Sequence, residues 1–461
     1  MPIKKGAKKS PIIKIKSLEN RISLDKKCWL LTVDMGYGHL RTAYPLKHLA
    51  FGEKIINANH YPGIPFKDQQ IWENSRKLYE SVSKFKSVPL IGDFIFSIYD
   101  QLQRIFSFYP KRDLSKANIV LKNIFSLMQK GWGKHLIEQL RFSPYSTVTQ
   151  NKRFPPLVTT FFIPAFMAEF FGYPGEIYCI LCDADISRTW VPLYPKRSRI
   201  KYLAPNTWVQ NRLKLYGVKE ENIFLTGHPL PLENIGNQRM EILKEDLRNR
   251  ILNLDRRRIY IEKYKSLVKK YLKKLPKKSD HPLTIMFTVG GAGAQKEIGF
   301  KIVKNLAQRI KFREIKIILA IGKREEVKSY FEENIKKLGL SGNLGKNIEI
   351  IFSKELESYF KEFNEALRKT DILWIKPSEL SFFTALGLPI IIAPPIGSQE
   401  VFNKRWLLHL GSGIVQESLE YINEWLFDFL DSGALAECAM QGFIEAEKLG
   451  VFKIEKIIFQ N

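Results

Sequence analysis

The sequence predicts an α/β protein of two halves, each a doubly wound parallel sheet with helices between its strands. Short apolar strands alternate with helical stretches from Trp29 to Thr226, the pattern of strand–helix–strand units. The alternation stops across a basic stretch and restarts at Leu283. Both halves also begin alike, with an apolar strand, a glycine turn and a helix, at Trp29–Ala43 and again at Leu283–Lys311. A chain of 461 residues is long enough for two such domains, each with its own core.

In chain order, residues 1–27 form a lysine-rich lead-in with Lys4, Lys5, Lys8 and Lys9, and no apolar core of signal-peptide length follows them. The first domain is expected over 28–235. Its opening strand, Trp29–Val33, runs into a turn with Gly36 and Gly38 and a helix starting near His39. In a doubly wound sheet the carboxyl end of that strand opens where ligands bind, and glycines let the backbone approach them closely. Val88–Tyr109 and Ala117–Leu140 carry helical apolar spacing. In the former, Leu90, Phe94, Ile95, Ile98, Leu102, Ile105 and Phe106 line one stripe; it is either core or, beside Lys111, Arg112 and Lys116, a lipid-facing surface. Leu157–Phe162, Ile177–Leu181, Ile200–Leu203 and Asn222–Thr226 read as buried strands, with a helix at Trp208–Tyr216.

Residues 236–282 read as a basic helical linker or insertion. Within it, 241–280 holds fourteen Lys/Arg against six acids, and Ile261, Tyr264, Leu267, Val268, Tyr271, Leu272 and Leu275 predict one amphipathic helix. The second domain, 283–417, has strands at Leu283–Val289, Lys316–Ile321, Ile348–Phe352, Ile372–Ile375 and Ile390–Ala393. Helices are expected over Lys296–Lys311, Ser418–Leu430 and Gly433–Ile458.

The net charge of +26 favours an anionic partner, whether nucleic acid, acidic lipid head groups or a phosphorylated small molecule. Cys28, Cys179, Cys182 and Cys438 are too scattered for a disulfide scaffold, and the one C-x-x-C lacks a second pair to complete a zinc site, so reduced, buried thiols are expected. The most apolar run, Leu157–Ala168, contains Pro164 and is too short to span a bilayer. These features predict a cytoplasmic protein, at most attached to the inner face of a membrane.

Four stretches carry a family resemblance. They are Asp34-Met-Gly-Tyr-Gly-His39, Cys182-Asp183 with Trp190 downstream, Phe224-Leu-Thr-Gly-His-Pro229, and Gly387-Leu-Pro-Ile followed by Gly397-Ser-Gln-Glu-Val-Phe-Asn403. In order and separation they resemble the GT-B glycosyltransferases, in the branch of monogalactosyldiacylglycerol synthase, processive diacylglycerol glucosyltransferases and the lipid II-forming N-acetylglucosaminyltransferase. The resemblance implies two Rossmann-like domains facing a central cleft, with the C-terminal residues 418–461 returning toward the first. It further implies an acceptor on the amino half, a nucleotide sugar, UDP-linked, on the carboxyl half, an anionic membrane surface as partner, and no metal or other cofactor.

On the family pattern, His39 and Asp183 are the candidate catalytic residues, His39 first, as the base that takes the acceptor proton or as the group that orients the acceptor, and Asp183 second. An imidazole suits that task near neutral pH. Gly36, Gly38, Arg188 and Trp190 lie on the acceptor side. The turn Gly290, Gly291, Ala292, Gly293 offers bare backbone N–H groups ahead of a helix, a setting that favours a diphosphate. It lacks the lysine-serine/threonine ending of a P-loop. Lys376, Ser378 (as helix N-cap), Glu379, Gln399 and Glu400 complete the donor-binding set. Phe382 stands where the family has a ribose-binding glutamate, Tyr37 where glycine is common, and the histidine usual between the Asp and the Trp is absent. Asp183-Ala-Asp185 also fits a metal-binding Asp-x-Asp. Two other functions stay open: a nucleotide-sugar 2-epimerase, and a catalytically degenerate member that binds polyanions. Nucleic acid is not expected, since no RNA-recognition, helix-turn-helix or zinc-finger motif is present.

Overall fold

A computed structural model describes residues 26–85, 105–147, 154–290, 293, 295–395 and 397–460. The chain divides into two compact units, one running through Thr226 with the last residues from Lys453, the other Gly227–Phe452. Among the described residues each unit is built on one sheet of six strands, every pair of them parallel. Parallel neighbours need a crossover between them and are covered on both faces, which is why their strands read as continuous apolar runs.

The first sheet comprises β1 Trp29–Thr32, β2 Ile56–Asn57, β3 Leu157–Thr159, β4 Ile177–Ile180, β5 Lys201–Ala204 and β6 Ile223–Leu225. Their order is β2-β1-β3-β4-β5-β6. The chain leaves β1 toward β2 and then returns to lay β3 on the other side, so the strand order reverses between β1 and β3. Such a switch point opens a crevice at the carboxyl ends of the two strands.

Several first-unit elements differ from the sequence expectation. The first helix is Tyr37–Ala43, two residues earlier than His39. It follows Gly36, whose φ of +109° only glycine adopts without strain. The apolar run at 157 splits after β3 into a buried helix, Phe162–Phe170. Pro164 is tolerated there because the first helical turn leaves its N–H groups unpaired anyway. The stretch 117–140 becomes Ile119–Gln129 and Lys134–Arg141, broken at Gly131 and Gly133. A Cβ on Gly133 would fall 2.3 Å from Met167 Sδ, so the break is also a close-packing point. Of the expected helix 88–109, residues 88–104 lie outside the described residues; Ile105 is buried and Phe106 exposed, both in irregular chain.

The second sheet comprises β7 Leu283–Thr288, β8 Ile315–Gly322, β9 Ile348–Phe352, β10 Ile372–Ile375, β11 Ile390–Ile392 and β12 Gly413–Val415. The order is β12-β11-β10-β7-β8-β9, with the switch point between β7 and β10. Gly299, in the helix Lys296–Asn305 that follows β7, has no room for a Cβ: it would meet the Phe287 ring at 2.8 Å. Glycine there lets the helix lie directly on the strand.

Residues 236–282 are part of this unit's core rather than a linker. The helix Glu241–Leu254 buries Leu243, Leu247, Ile251 and Leu254. Its Arg250, also buried, donates to the carbonyls of Thr370 (2.7 Å), Leu386 (2.7 Å) and Leu367 (3.2 Å). The helices Ile422–Asp431 and Ala434–Glu445 belong to the second unit as well, and only the residues from Lys453 belong to the first. There the Tyr178 hydroxyl donates to the Ile457 carbonyl at 3.4 Å. No helix of the described residues is long and apolar enough to cross a membrane.

Candidate functional site

Candidate site residues gather at the switch point of each unit. In the first, the carboxyl ends of β1, β3 and β4 bring together Thr32, His39, Thr160 and Cys182. His39 Nδ1 lies 2.9 Å from the Thr160 carbonyl oxygen. A carbonyl only accepts, so the ring's proton sits on Nδ1 and Nε2 carries the lone pair. The Thr160 hydroxyl donates to the His39 carbonyl at 3.0 Å and sits 2.9 Å from the Thr32 hydroxyl, which must therefore donate to it. Thr160 thus holds His39 through both main chain and ring. Cys182 Sγ lies 3.4 Å from the same Thr160 carbonyl and 3.5 Å from His39 Nδ1.

The imidazole is half-buried among aromatic rings, 4.8 Å from Phe161 and 6.1 Å from Trp190. Burial pulls its pKa from 6.5 down to about 4, partly offset by the bond to the Thr160 carbonyl. At neutral pH the ring is uncharged and its Nε2 is able to take a proton. Thr160 was not legible as a site residue; the only signal is the Thr-Thr pair ending an apolar strand. Cys182 stands in the family motif, but as a sequence feature it is only one of four expected buried thiols.

Other first-unit expectations resolve differently. Asp183 is half-buried at the end of β4. Asp185 is buried and fully engaged: Arg212 Nε and Nη2 donate to it at 2.9 and 2.7 Å, Trp208 Nε1 at 2.8 Å and the Ile186 N–H at 2.9 Å. That carboxylate anchors its loop, so the Asp-x-Asp reading loses one of its two ligands. Arg188, expected on the acceptor side, is buried, and its guanidinium donates to the carbonyls of Ser115, Val191 and Pro192. It pins two loops together rather than facing a ligand. Trp190 is buried against Phe161 and Phe162, with its carbonyl accepting from the Tyr202 hydroxyl at 3.0 Å.

In the second unit, the glycine turn follows β7 and Lys376 follows β10, the two strands at the switch point. The Gly293 N–H donates to the Gly290 carbonyl at 2.7 Å, with Gly293 at φ +76°. Gly291 and Ala292 lie outside the described residues. The turn leads into Lys296–Asn305, whose N-cap, Gln295, makes no side-chain cap bond to the helix. Its amide instead donates to the Pro394 carbonyl at 2.7 Å. Uncapped N–H groups at a helix start favour an anion.

Lys376 Nζ pairs with Glu400 Oε1 at 2.6 Å. Ser378 is an N-cap, as expected, with its hydroxyl accepting from the Leu380 N–H at 3.4 Å, but the element it caps is a 3₁₀ helix, Glu379–Leu386. Glu379 is half-buried at its start, while Phe382 is buried between the rings of His228 (4.8 Å, nearly parallel) and Trp406 (4.9 Å). Phe382 is therefore a packing residue. Gln399 and Glu400 stand in the first turn of Ser398–His409, and Asn403 is buried one turn on.

Residues 269–349 match a family described as a domain of unknown function (DUF6938). The chain is 21% identical over 423 residues to a processive diacylglycerol beta-glucosyltransferase of Bacillus licheniformis, covering 88% of each. Among solved structures it aligns with MurG of Acinetobacter baumannii (13% identity, 94% of this chain and 100% of that one, TM-score 0.44). It also aligns with a UDP-GlcNAc 2-epimerase of Neisseria meningitidis bound to UDP-GlcNAc (14% identity, 80% and 87%, TM-score 0.40). With two Rossmann-like domains, and with likeness to the glucosyltransferase along most of its length, the chain resembles the GT-B glycosyltransferases.

Proposed function

We propose that the protein is an inverting glycosyltransferase that moves a sugar from a nucleoside-diphosphate donor, UDP-linked, to a hydroxyl of a lipid or lipid-linked acceptor at an anionic membrane surface. The observation that carries this reading is the meeting of the Gly290 turn and Lys376 at the second unit's switch point, in a chain aligned along 88% of its length with a diacylglycerol glucosyltransferase. A bare backbone turn beside one ammonium suits a leaving diphosphate.

In this mechanism the acceptor oxygen attacks the anomeric carbon of the sugar while His39 Nε2 takes the hydroxyl proton. The bond from that carbon to the diphosphate breaks, and its electron pair leaves with the nucleoside diphosphate. Lys376 and the uncapped start of the helix Lys296–Asn305 stabilise the charge that develops there. The Thr160 carbonyl keeps the proton on Nδ1, so the basic nitrogen is the one free to act. Asp183, half-buried just past β4 in the same unit as His39, is the second candidate for the base. The aromatic rings around His39 offer an apolar wall to a lipid-linked acceptor, and the exposed lysines of 265–278 suit acidic head groups.

The test is calorimetric titration with UDP, GDP, dTDP and ADP, followed by transfer from the matching sugar nucleotide to diacylglycerol in vesicles. Binding of UDP and acceptor-dependent release of UDP support the reading. Turnover of the sugar nucleotide without any acceptor would replace it with the 2-epimerase. Absence of binding to all four would leave a degenerate fold whose basic surface binds polyanions.

A further inference from the structure

We propose that Glu400 is a resident counter-anion at the diphosphate position, and that a nucleoside diphosphate binds by displacing it from Lys376. The proposal rests on reading the Gly290 turn as the donor site. A Cβ built on Gly290 would lie 3.9 Å from Lys376 Cε and 4.0 Å from Nζ, so the lysine's end lies against the bare backbone of the turn. From there it reaches Glu400 Oε1 at 2.6 Å, with the two side chains 25% and 14% exposed. The ammonium that would meet the phosphates is therefore already neutralised by a carboxylate in a partly dry setting.

Two anions on one lysine repel each other, and the repulsion is stronger where water is scarce. A diphosphate carries more charge than a carboxylate and brings several acceptor oxygens. It therefore pairs with the Lys376 ammonium more strongly than a single carboxylate does. Glu400, on a flexible side chain in the first turn of its helix, then swings away and becomes an acceptor for a hydroxyl of the bound sugar. The exchange replaces one ion pair on the lysine by another, and the displaced carboxylate, 14% exposed, gives up its counter-charge, so the exchange costs part of the diphosphate's binding. It also holds the lysine in place before the donor arrives, and it sets a threshold that weaker anions do not cross.

The experiment is calorimetry of the full chain and of Glu400→Gln, Lys376→Met and the double variant, with UDP and with inorganic pyrophosphate as probes. Glutamine keeps the shape and removes the charge. Glu400→Gln is expected to bind both probes about tenfold tighter, the size of a partly buried ion-pair effect. Lys376→Met binds them more weakly, and in its background Glu400→Gln gives no gain, since the glutamate acts through the lysine. A Glu400→Gln variant that binds UDP equally or more weakly while the wild type binds it overturns the proposal and leaves the donor site standing. A gain that persists without Lys376 overturns it too. If neither wild type nor Glu400→Gln binds any nucleoside diphosphate, the donor-site reading falls, and this proposal with it.

Discussion

His39 shows how much of a catalytic residue lies outside its own motif. Its ring is held by a residue 121 positions away, Thr160, which decides the tautomer and hence which nitrogen acts. His39→Ala is expected to leave the melting temperature nearly unchanged and to lower kcat/KM by about 10²–10⁴-fold, the usual range for a lost general base. Unchanged transfer would remove it from the mechanism. Its pH behaviour follows from its burial. With the folded pKa depressed to about 4 from 6.5, the native ring stays neutral through mildly acid conditions. The acid limb of kcat/KM due to His39 should therefore centre near 4, with no fall between pH 7.5 and 5.5. The same depression means that the unfolded chain takes up the proton first, so stability due to this group declines as pH drops from 6.5 toward 4. A kinetic limb near 6.5 would show a solvated ring.

At the scale of elements, the basic segment and the 3₁₀ helix depart most from expectation. One amphipathic helix over 261–275 becomes two, Ile259–Lys263 and Lys265–Leu272, separated at Tyr264. The apolar positions still point inward, with Ile261, Val268 and Leu272 buried, while Lys269, Lys270, Lys273 and Lys274 are all exposed. Replacing those four lysines with glutamine is expected to weaken binding to vesicles containing acidic lipid, at about 1 kcal/mol per lysine near the surface. Undiminished binding would make this a solvated face only. In the 3₁₀ helix Glu379–Leu386 the roles of two neighbours separate cleanly. Phe382→Ala removes a ring stacked on His228 and packed against Trp406 and should destabilise the second unit by about 3–5 kcal/mol. Glu379→Ala should leave the melting temperature alone and weaken UDP binding. The opposite pattern would mean that Glu379 has no part in the donor site.

At the scale of the whole molecule, each unit places its candidate residues by topology: both sheets reverse strand order beside their first strand, and in each the candidate residues follow the two strands that flank the reversal or the next strand out, β4 in the first sheet and β11 in the second. The opposite, amino-terminal end of the second sheet serves stability. There half-buried His281 bridges Asp371 (Nε2 to Oδ1, 3.1 Å) and Asp280, and Asp371 also accepts from the Thr284 N–H at 2.8 Å. Burial alone would lower the His281 pKa, but the two aspartates raise it above 6.5. A raised folded pKa contributes stability that is complete below 6.5 and is lost as pH rises through the folded value. His281→Gln should therefore lower the melting temperature more at pH 6 than at pH 9. Equal losses at both would show that the ion pairs contribute nothing.

Strand–helix alternation was legible because parallel strands covered on both faces must be continuous apolar runs, and His39 and the Gly290 turn were legible because a glycine turn after such a strand leaves a local trace. The sequence by itself determined the two α/β halves, their strands to within a few residues apart from the short edge strands β2 and β12, and the chemistry-bearing types at the carboxyl ends of β1 and β7. Tertiary structure alone decided the rest. It drew 236–282 into the second core through Arg250 and its three carbonyl partners, turned Arg188 and Asp185 into internal anchors, and set Glu400 against Lys376. Each of these is a contact between residues distant in sequence, chosen by the need to satisfy a buried charge. No local pattern encodes which of several available partners will do so.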